Sequence, residues 1–256
     1  MDKRIGAQVF TIRDFIKTAE DFEKSLKKLK DIGYQTIQLS GLGPIDAEVV
    51  RDLLKKYDIK AICTHRNPDE YLKHLEESIA WHKTVGCKIA GIGTMPANYE
   101  KNLAGVRQFI QDFTPVAKAF QKEGLSFGYH NHAFEFLKED GKFLMDILFE
   151  ESNFDFIADT YWFAYAGINP ASYIRKLGRR AKIVHFKDLK CMLDENRRTS
   201  VTMTEVMEGN LDWDSIIEAC EDAKVQAAMV EQDVCPGNPF DSLQISYNNL
   251  KAKGFC

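Results

Sequence analysis

Several familiar sequence patterns are missing from this chain of 256 residues. Its six cysteines are widely scattered and form no C-x-x-C pair, which argues against a zinc knuckle or a disulfide framework and favours buried thiols in a reducing compartment. No apolar run approaches the roughly 20 residues that span a bilayer. The first residues also lack the apolar segment of a signal peptide. We therefore expect a cytoplasmic protein without a membrane partner.

A strong charge of one sign is missing as well. The formal net charge is −4, and no basic run interleaved with aromatic residues occurs. Such a surface has no general attraction for nucleic acid, so we expect no nucleic-acid partner. Neither a G-x-G-x-x-G turn after a strand nor a Walker A motif is present, which removes the fingerprints of the nucleotide-binding folds.

What the chain does contain is eight short apolar stretches, each followed by an amphipathic one. The predicted strands are 5–10, 36–39, 60–64, 88–92, the start of 125–136, 154–159, 182–188 and 225–233. The predicted helices are 18–32, 46–57, 69–85, 99–123, 142–150, 170–177, 213–223 and 240–252. A polar segment, 189–210, is predicted to be an irregular insertion.

Strict alternation of strand and helix fits either an eightfold barrel or a doubly wound open sheet. The number of units is eight, and polar residues follow strands along the whole chain. In a barrel all strand tips face one mouth, whereas the ligand crevice of an open sheet uses only the central strands. The sequence therefore predicts an α/β fold, a (β/α)8 TIM barrel, as a single domain over residues 1–256.

Three successive strands end on side chains that can bind metals, namely Asp159, His185 and Glu231. Taken singly, Asp159 could cap a helix and His185 could be a core histidine. Together, at the same relative position, they indicate one site. Two carboxylates and an imidazole suit a divalent ion such as Mn, Zn, Co or Mg. Such an ion polarises a ketone and stabilises an enediolate, and a neighbouring carboxylate then serves as the general base.

The stretch 125–136 ends in a second group of such side chains, His130, His132 and Glu135. Alternate residues of a strand face opposite sides, so the two histidines point one way and Tyr129 and Asn131 the other. The pattern leaves open which pair faces the mouth.

Further polar and aromatic residues near the strand tips are candidates for binding a sugar. Lys187 is a partner for an anion or a carbonyl oxygen, and Trp162 can form an apolar platform for a sugar face. Ordinary loop roles remain the alternative for each. The predicted substrate-binding residues are His65, Gln8, His130, Trp162 and Lys187.

At these residues the chain resembles the xylose isomerase-like TIM-barrel superfamily of sugar phosphate isomerases and epimerases, which includes inosose dehydratases. The motifs occur in the family's order and cover most of the chain. They are Tyr-His-Asn-His-Ala-Phe-Glu-Phe (129–136), Asp-Thr-Tyr-Trp (159–162), Val-His-Phe-Lys-Asp (184–188), Gly-Asn-Leu-Asp-Trp (209–213) and Val-Glu-Gln-Asp (230–233).

The resemblance implies one divalent ion held by Glu, Asp, His and Glu from strands 5 to 8. The strand-5 glutamate of the family falls on Tyr129. Glu135, the nearest carboxylate, or His132 is then left to complete the metal shell, and a shell of three protein ligands and water is the alternative. The implied metal ligands are Glu135, Asp159, His185 and Glu231. The implied catalytic residues are Glu231, Glu135 and His132.

The resemblance also implies an activity. We expect a sugar isomerase or epimerase that removes a proton next to the metal-polarised carbonyl of a keto or aldo sugar. Because the Tyr-His-x-His pattern is similar to that of inosose dehydratases, the alternative is a dehydratase or lyase that acts on a keto-sugar, keto-inositol or keto-glycoside with the same first step. A sugar-binding barrel without catalysis is a second alternative. The partner is a small sugar or sugar derivative, and the oligomeric state, a homo-oligomer included, stays open.

Overall fold

Eight parallel strands close into a barrel at the centre of the computed structural model, which describes residues 3–256. Neighbours in the chain are neighbours in the barrel, and the last strand pairs with the first, with Ala7 opposite Val230. The prediction of an α/β eightfold barrel is confirmed. In chain order the strands are β1 (Ile5–Gln8), β2 (Thr36–Ser40), β3 (Lys60–His65), β4 (Ile89–Ile92), β5 (Ser126–His130), β6 (Asp155–Asp159), β7 (Ala181–Phe186) and β8 (Ala227–Val230).

Helices cover the outside of this barrel. Three of them begin with Asn-Pro, where the asparagine side chain accepts a backbone N–H of the first turn and proline takes the first helical position. In chain order the helices are α1 (Ala19–Ile32), α2 (Ala47–Lys56), α3 (Pro68–Lys73), α4 (Leu75–Val85), α5 (Leu103–Lys122), α6 (Leu144–Glu151), α7 (Thr160–Tyr165), α8 (Pro170–Leu177), α9 (Trp213–Ala223) and α10 (Pro239–Ala252).

The apolar core has two parts. The larger part lies between the strands and the helices and contains most of the buried aromatic side chains. The smaller part is a separate cluster of strand residues, Cys63, Ile89, Ile157, Ile183, Ala227 and Met229. By the alternation of a strand, Ile157, Ile183 and Met229 share a face with the polar residues two positions further on. The barrel interior is therefore packed with apolar side chains in its middle part and carries its polar groups at the C-terminal end of the strands.

The insertion 189–210 is more regular than predicted. Asp188–Leu193 and Thr199–Thr204 pair as an antiparallel hairpin, because the second run is rich in β-branched residues that fit a strand. The buried carboxylate of Asp188 fixes the base of this hairpin. It accepts the indole N–H of Trp213 at 2.7 Å and the backbone N–H groups of Met207 at 2.9 Å and Gly209 at 3.2 Å. These contacts explain the two sequence motifs around Asp188 and Trp213 as structural.

Other boundaries also differ from the prediction. The helix predicted over 69–85 is interrupted at His74, whose backbone (φ −135°, ψ 51°) is not helical, and the helix predicted from 99 begins at Leu103. The first strand ends at Gln8 rather than at residue 10, because a short 3-10 segment, Val9–Phe15, follows it. All six cysteines are free thiols. Within the described range 3–256, none of the helices is long and apolar enough to cross a membrane.

Candidate metal centre

Four side chains meet at the C-terminal end of the barrel: His130, Asp159, His185 and Glu231. They are the last residue of β5, the last residue of β6, the penultimate residue of β7 and the residue after β8. Each offers one nitrogen or oxygen atom, and these atoms all lie within 4.8 Å of one another. All four residues are buried. Parallel strands that end at one mouth are what brings them together.

His130 is oriented by a carbonyl group on the neighbouring strand's exit loop. Its Nδ1 lies 2.8 Å from the carbonyl oxygen of Gly93, and because a carbonyl only accepts, Nδ1 carries the proton. The Nε2 lone pair is therefore free and faces Asp159, with Nε2 at 3.2 Å from Oδ2. A histidine held in one tautomer by a second contact is the arrangement that metal-binding histidines use.

His185 is oriented in the same way by Gln38 of β2. Its Nε2 donates to Gln38 Oε1 at 2.9 Å, so Nδ1 faces Glu231 Oε2 at 2.8 Å and Asp159 Oδ2 at 3.6 Å. Burial alone would lower the pKa of His185, but the two carboxylates raise it to about 9. The sequence analysis missed this role of Gln38; its position at the tip of β2 is the signal that could have found it.

Asp159 does two things at once. Its Oδ1 accepts the backbone N–H of Trp162 at 3.1 Å and so caps α7, which makes the helix-cap interpretation correct as well. Its Oδ2 faces the cluster. The cap fixes the carboxylate, because one oxygen is bound at the helix while the other faces the two histidines.

Lys187 brings a positive charge to the edge of this cluster. Its side chain is 1% exposed, and Nζ lies 2.7 Å from Asp233, 3.3 Å from Glu231 and 3.6 Å from Asp159. Burial works against the charge, yet the three carboxylates raise the pKa of Lys187, so the ammonium is retained. Three carboxylates against one ammonium leave an excess of two negative charges. A divalent cation would displace the Nδ1 proton that the raised pKa of His185 keeps in its absence, and it would then meet this excess of negative charge and two imidazole lone pairs.

Glu135 does not join the cluster. Tyr129, one residue before His130, points to the outer face of β5 and packs against Phe109 of α5, with ring centroids 5.5 Å apart. The Tyr129 hydroxyl donates to Glu135 Oε1 at 2.6 Å, and the His132 backbone N–H donates to Oε2 at 2.8 Å. Glu135 is thus held in the layer between barrel and helices. The geometry replaces it with His130 as the strand-5 member of the cluster.

Most of the predicted sugar-binding residues line one cavity, but Trp162 does not. Gln8, His65, His130, His132 and Lys187 line a cavity of about 250 Å³ over the cluster, together with Glu231 and Asp233. We call it the inner cavity. Trp162 is not in that lining; it packs behind His132, with ring centroids 4.9 Å apart.

The two histidines in this lining that lie outside the cluster are neutral. Burial, reinforced by His130, lowers the pKa of His132 to about 3, and burial lowers the pKa of His65 well below its usual value. Neutral imidazoles donate and accept hydrogen bonds but are weak bases at pH 7. They are therefore suited to binding hydroxyl groups. This argues against His132 as the group that removes a proton.

Asp233 is the functional candidate that the sequence analysis left out of the site. Its side chain is 25% exposed at the mouth and is bound to Lys187. Burial and the charge of Glu231 raise its pKa, which makes it a stronger base than a free aspartate. The available signal was its place two residues after Glu231, on the same side of the extended chain.

Known proteins resemble this chain in sequence and in fold. A family model described as xylose isomerase-like TIM barrel matches residues 26–238. The inosose dehydratase of Mesomycoplasma hyopneumoniae (strain 7448) is 23% identical, over 66% of this chain and 63% of its own length. The match therefore spans less than two thirds of that relative.

Solved structures share the whole barrel at low identity. A sugar phosphate isomerase/epimerase from Parabacteroides distasonis ATCC 8503 has a TM-score of 0.83 and 16% identity, covering 100% of this chain and 98% of that one. D-allulose 3-epimerase from a Methylomonas species, in complex with D-allulose, has a TM-score of 0.71 and 15% identity, covering 99% and 97%.

Proposed function

The chain belongs to the xylose isomerase-like TIM-barrel family, and we propose that it is a divalent-metal-dependent sugar isomerase or epimerase. It would act on a keto or aldo sugar by removing a proton next to the carbonyl group. The observation that carries this proposal is the buried group of His130, Asp159, His185 and Glu231 with its two oriented histidines. Similar structures with sugar isomerase and epimerase names support it.

These four residues would hold the cation, with His130 using Nε2 and His185 using Nδ1. A divalent ion bound there supplies a Lewis acid that polarises the substrate's carbonyl group and so makes the neighbouring C–H more acidic. We leave the choice among Mn, Zn, Co and Mg open, since a mixed nitrogen and oxygen set accepts several of them.

Asp233 is the residue we assign as the general base. It lines the inner cavity, is partly exposed, and is not needed for the cation cluster. Glu231 is a weaker base, because Lys187 and His185 lower its pKa even against the effect of burial. Lys187 stays protonated beside Asp233 and stabilises the negative charge that develops when the substrate loses its proton.

His65, His132 and Gln8 would orient the substrate. Gln8 is itself fixed, because its Oε1 accepts the backbone N–H of Phe10 at 3.1 Å and its amide lies 3.5 Å from His65 Nδ1. The unpartnered Nδ1 of His132 is available to a sugar hydroxyl. Substrate held by several such contacts presents one C–H bond to Asp233, which is how positioning lowers a barrier.

A keto-sugar or keto-inositol dehydratase is the second candidate, and one observation favours it. Among the described residues that line the inner cavity, the carboxylates are Glu231 and Asp233. With Glu231 in the cation cluster, one carboxylate is left. Epimerisation through two bases needs one on each face of the planar intermediate, whereas elimination of a β-substituent needs a single base. The similarity to an inosose dehydratase points the same way.

The test combines metal content with proton exchange. We expect purified wild-type protein, reconstituted with Mn²⁺ or Zn²⁺, to hold about one ion per chain by mass spectrometry and to exchange an α-proton of keto sugars or inososes in deuterated water. Both candidates exchange that proton, and only the dehydratase releases water. Glu231→Gln should lose both metal and exchange, whereas Asp233→Asn should keep the metal and lose exchange.

Glu76→Gln, at an exposed position of α4, is the control for the same chemical change. Full metal content and full exchange in Glu231→Gln would overturn the assignment. If the wild-type protein takes up no metal and exchanges no proton, a sugar-binding barrel without catalysis is the remaining candidate.

A further inference from the structure

A second cavity, of about 620 Å³, adjoins the inner cavity. We call it the outer cavity. It is bounded on one side by residues 39–47, which form the end of β2, the loop to α2 and the first residue of α2. The other side is formed by the end of β3, the residues that follow it and Trp81 of α4. Ser40 and His65 line both cavities, so the two spaces meet at these residues.

The volumes of the two cavities indicate that a bound molecule would extend beyond the metal cluster. Ligand pockets usually hold roughly 300–1,000 Å³, and the inner cavity at about 250 Å³ falls just below this range. The outer cavity is more than twice as large. The inner cavity suits one small ring, and most of the space at this mouth lies beside it.

The charges that line the outer cavity disfavour an anion. Arg66 donates to Glu70 Oε2 from Nε at 2.9 Å and from Nη2 at 2.6 Å, and its guanidinium lies 4.2 Å from the centroid of Trp81. Asp46 adds a negative charge, and among the described residues that line the cavity Arg66 is the one lysine or arginine. A phosphate group would therefore meet an arginine that is already neutralised, next to a further carboxylate.

The loop that forms one wall is fixed before any ligand binds. The Gly43 N–H donates to the carbonyl oxygen of Ile16 at 3.0 Å, and Lys17 Nζ donates to the carbonyl oxygen of Gly41 at 3.3 Å. A Cβ atom on Gly43 would lie 1.9 Å from the Lys17 carbonyl oxygen, so only glycine allows this close approach. The cavity is thus preformed, as ligand sites usually are.

The place where the cavities meet carries an unsatisfied polar group. His65 Nδ1 lies 3.5 Å from the Gln8 amide nitrogen, which donates to it, and this puts the ring proton on Nε2. His65 Nε2 is buried and has no hydrogen-bond partner in the described part of the chain. A buried donor without a partner costs free energy, so a ligand oxygen at this point would be bound favourably.

From these observations we propose that the outer cavity is a subsite for a neutral second group, a sugar ring or an aromatic aglycone, joined to the reacting sugar through an oxygen near His65. The substrate class is then a keto glycoside rather than a free sugar or a sugar phosphate. This inference rests on the proposed function for the reacting half. An intact glycoside has its anomeric carbon in an acetal, so its carbonyl must be a ketone on the ring. Oxidation of a ring hydroxyl is the class of reaction that supplies such a substrate.

The test compares matched probes on the metal-loaded protein. The probes are 3-keto-glucose, its phenyl β-glycoside and its 6-phosphate, each followed by α-proton exchange in deuterated water. We expect kcat/KM for the phenyl glycoside to exceed that of free 3-keto-glucose at least tenfold, with no gain for the phosphate. Equal values, or a preference for the phosphate, would overturn the proposal.

A variant that fills the outer cavity should remove this preference. Ala47→Trp places an indole in the lining, and we expect the ratio of the two kcat/KM values to fall toward one. Val49→Trp, at an exposed position of α2 outside the lining, is the matched control and should keep the ratio. Arg66→Met is a second variant, should Ala47→Trp fail to fold, and it should lower the ratio as well. An unchanged ratio in a folded Ala47→Trp protein contradicts the proposal.

A binding measurement separates this inference from the proposed function. Unoxidised phenyl β-glucoside cannot react, so calorimetry reports its binding whether or not the protein is a catalyst. We expect Ala47→Trp to weaken that binding at least tenfold and Val49→Trp to leave it unchanged. If the protein exchanges the α-proton of 3-keto-glucose but neither reacts faster with the phenyl glycoside nor binds phenyl β-glucoside, the subsite alone is refuted. Absence of metal and of exchange, with this binding pattern intact, would refute the proposed function alone.

Discussion

Glu135→Gln tests whether this carboxyl group is separate from the metal cluster. Glu135 is fully buried, and burial raises its pKa from 4.5 to about 7. The folded protein therefore binds this proton more tightly than the unfolded chain does. The stability gained from that proton is complete below pH 4.5 and is lost as the pH rises through 7. A glutamine does not titrate, so the variant lacks this pH dependence.

The size of the effect follows from the pKa difference. One pKa unit corresponds to about 1.4 kcal/mol, so between pH 5 and pH 8 the wild type loses about 2–3 kcal/mol of unfolding free energy that the variant keeps. Glutamine can accept the His132 N–H and donate to the Tyr129 oxygen. Both contacts therefore remain, with donor and acceptor exchanged in the contact to Tyr129. For a chain of this size, the difference in melting temperature between variant and wild type should change by roughly 5–10 °C from pH 5 to pH 8.

Thermal unfolding followed by circular dichroism is the assay, with wild type and variant measured at pH 5, 6.5 and 8 in chelator. The melting temperature of the variant should rise relative to wild type as the pH increases. Metal uptake at pH 7.5 should equal that of wild type, whereas Glu231→Gln, the same chemical change inside the cluster, should abolish it. A constant difference at all three pH values, or a loss of metal in Glu135→Gln, would refute the reasoning.

Two further variants test the groups that support the site. Gln38→Leu removes the acceptor that orients His185, and we expect the metal affinity to fall roughly 10–100-fold in a competition titration. The metal-free protein should lose about 1–3 kcal/mol of unfolding free energy, because the buried His185 Nε2–H is left without an acceptor. Asp188→Asn weakens the acceptor for Trp213 and the hairpin base, and we expect a loss of about 2–4 kcal/mol in urea unfolding and faster proteolysis within 189–210. Wild-type metal affinity in the first variant or wild-type stability in the second would contradict these roles.

The fold could be predicted from the sequence because its signal is repeated. Eight apolar runs, each followed by an amphipathic helix, leave few arrangements open, and three successive strands that end on Asp159, His185 and Glu231 locate the mouth. The hairpin in 189–210 could not be placed in the same way. It lies outside the barrel and is held by tertiary contacts to Asp188, so its pattern is local and weak.

The strand-5 residue of the site could not be predicted, and the reason is geometric. Shifting the register by one residue exchanges the two faces of a strand. The family comparison placed the expected ligand at Tyr129, on the outer face, whereas His130 faces the cluster. Glu135 then attracted attention because it is the nearest carboxylate in sequence, but the turn after β5 directs it back to the Tyr129 hydroxyl. Only the backbone path distinguishes these cases.

The exchange of a carboxylate for His130 changes the charge of the site as well as its shape. Two carboxylates and two neutral imidazoles would cancel the charge of a divalent ion, and Lys187 balances Asp233, the carboxylate to which it lies closest. A third carboxylate among the ligands would leave one negative charge at the cation and weaken its pull on a carbonyl oxygen. In the proposed function the present set would keep that pull and leave Asp233 as the single base. One base suffices to move a proton in a sugar isomerisation and to start the elimination of the second candidate, but it does not supply the second base that a two-base epimerisation needs.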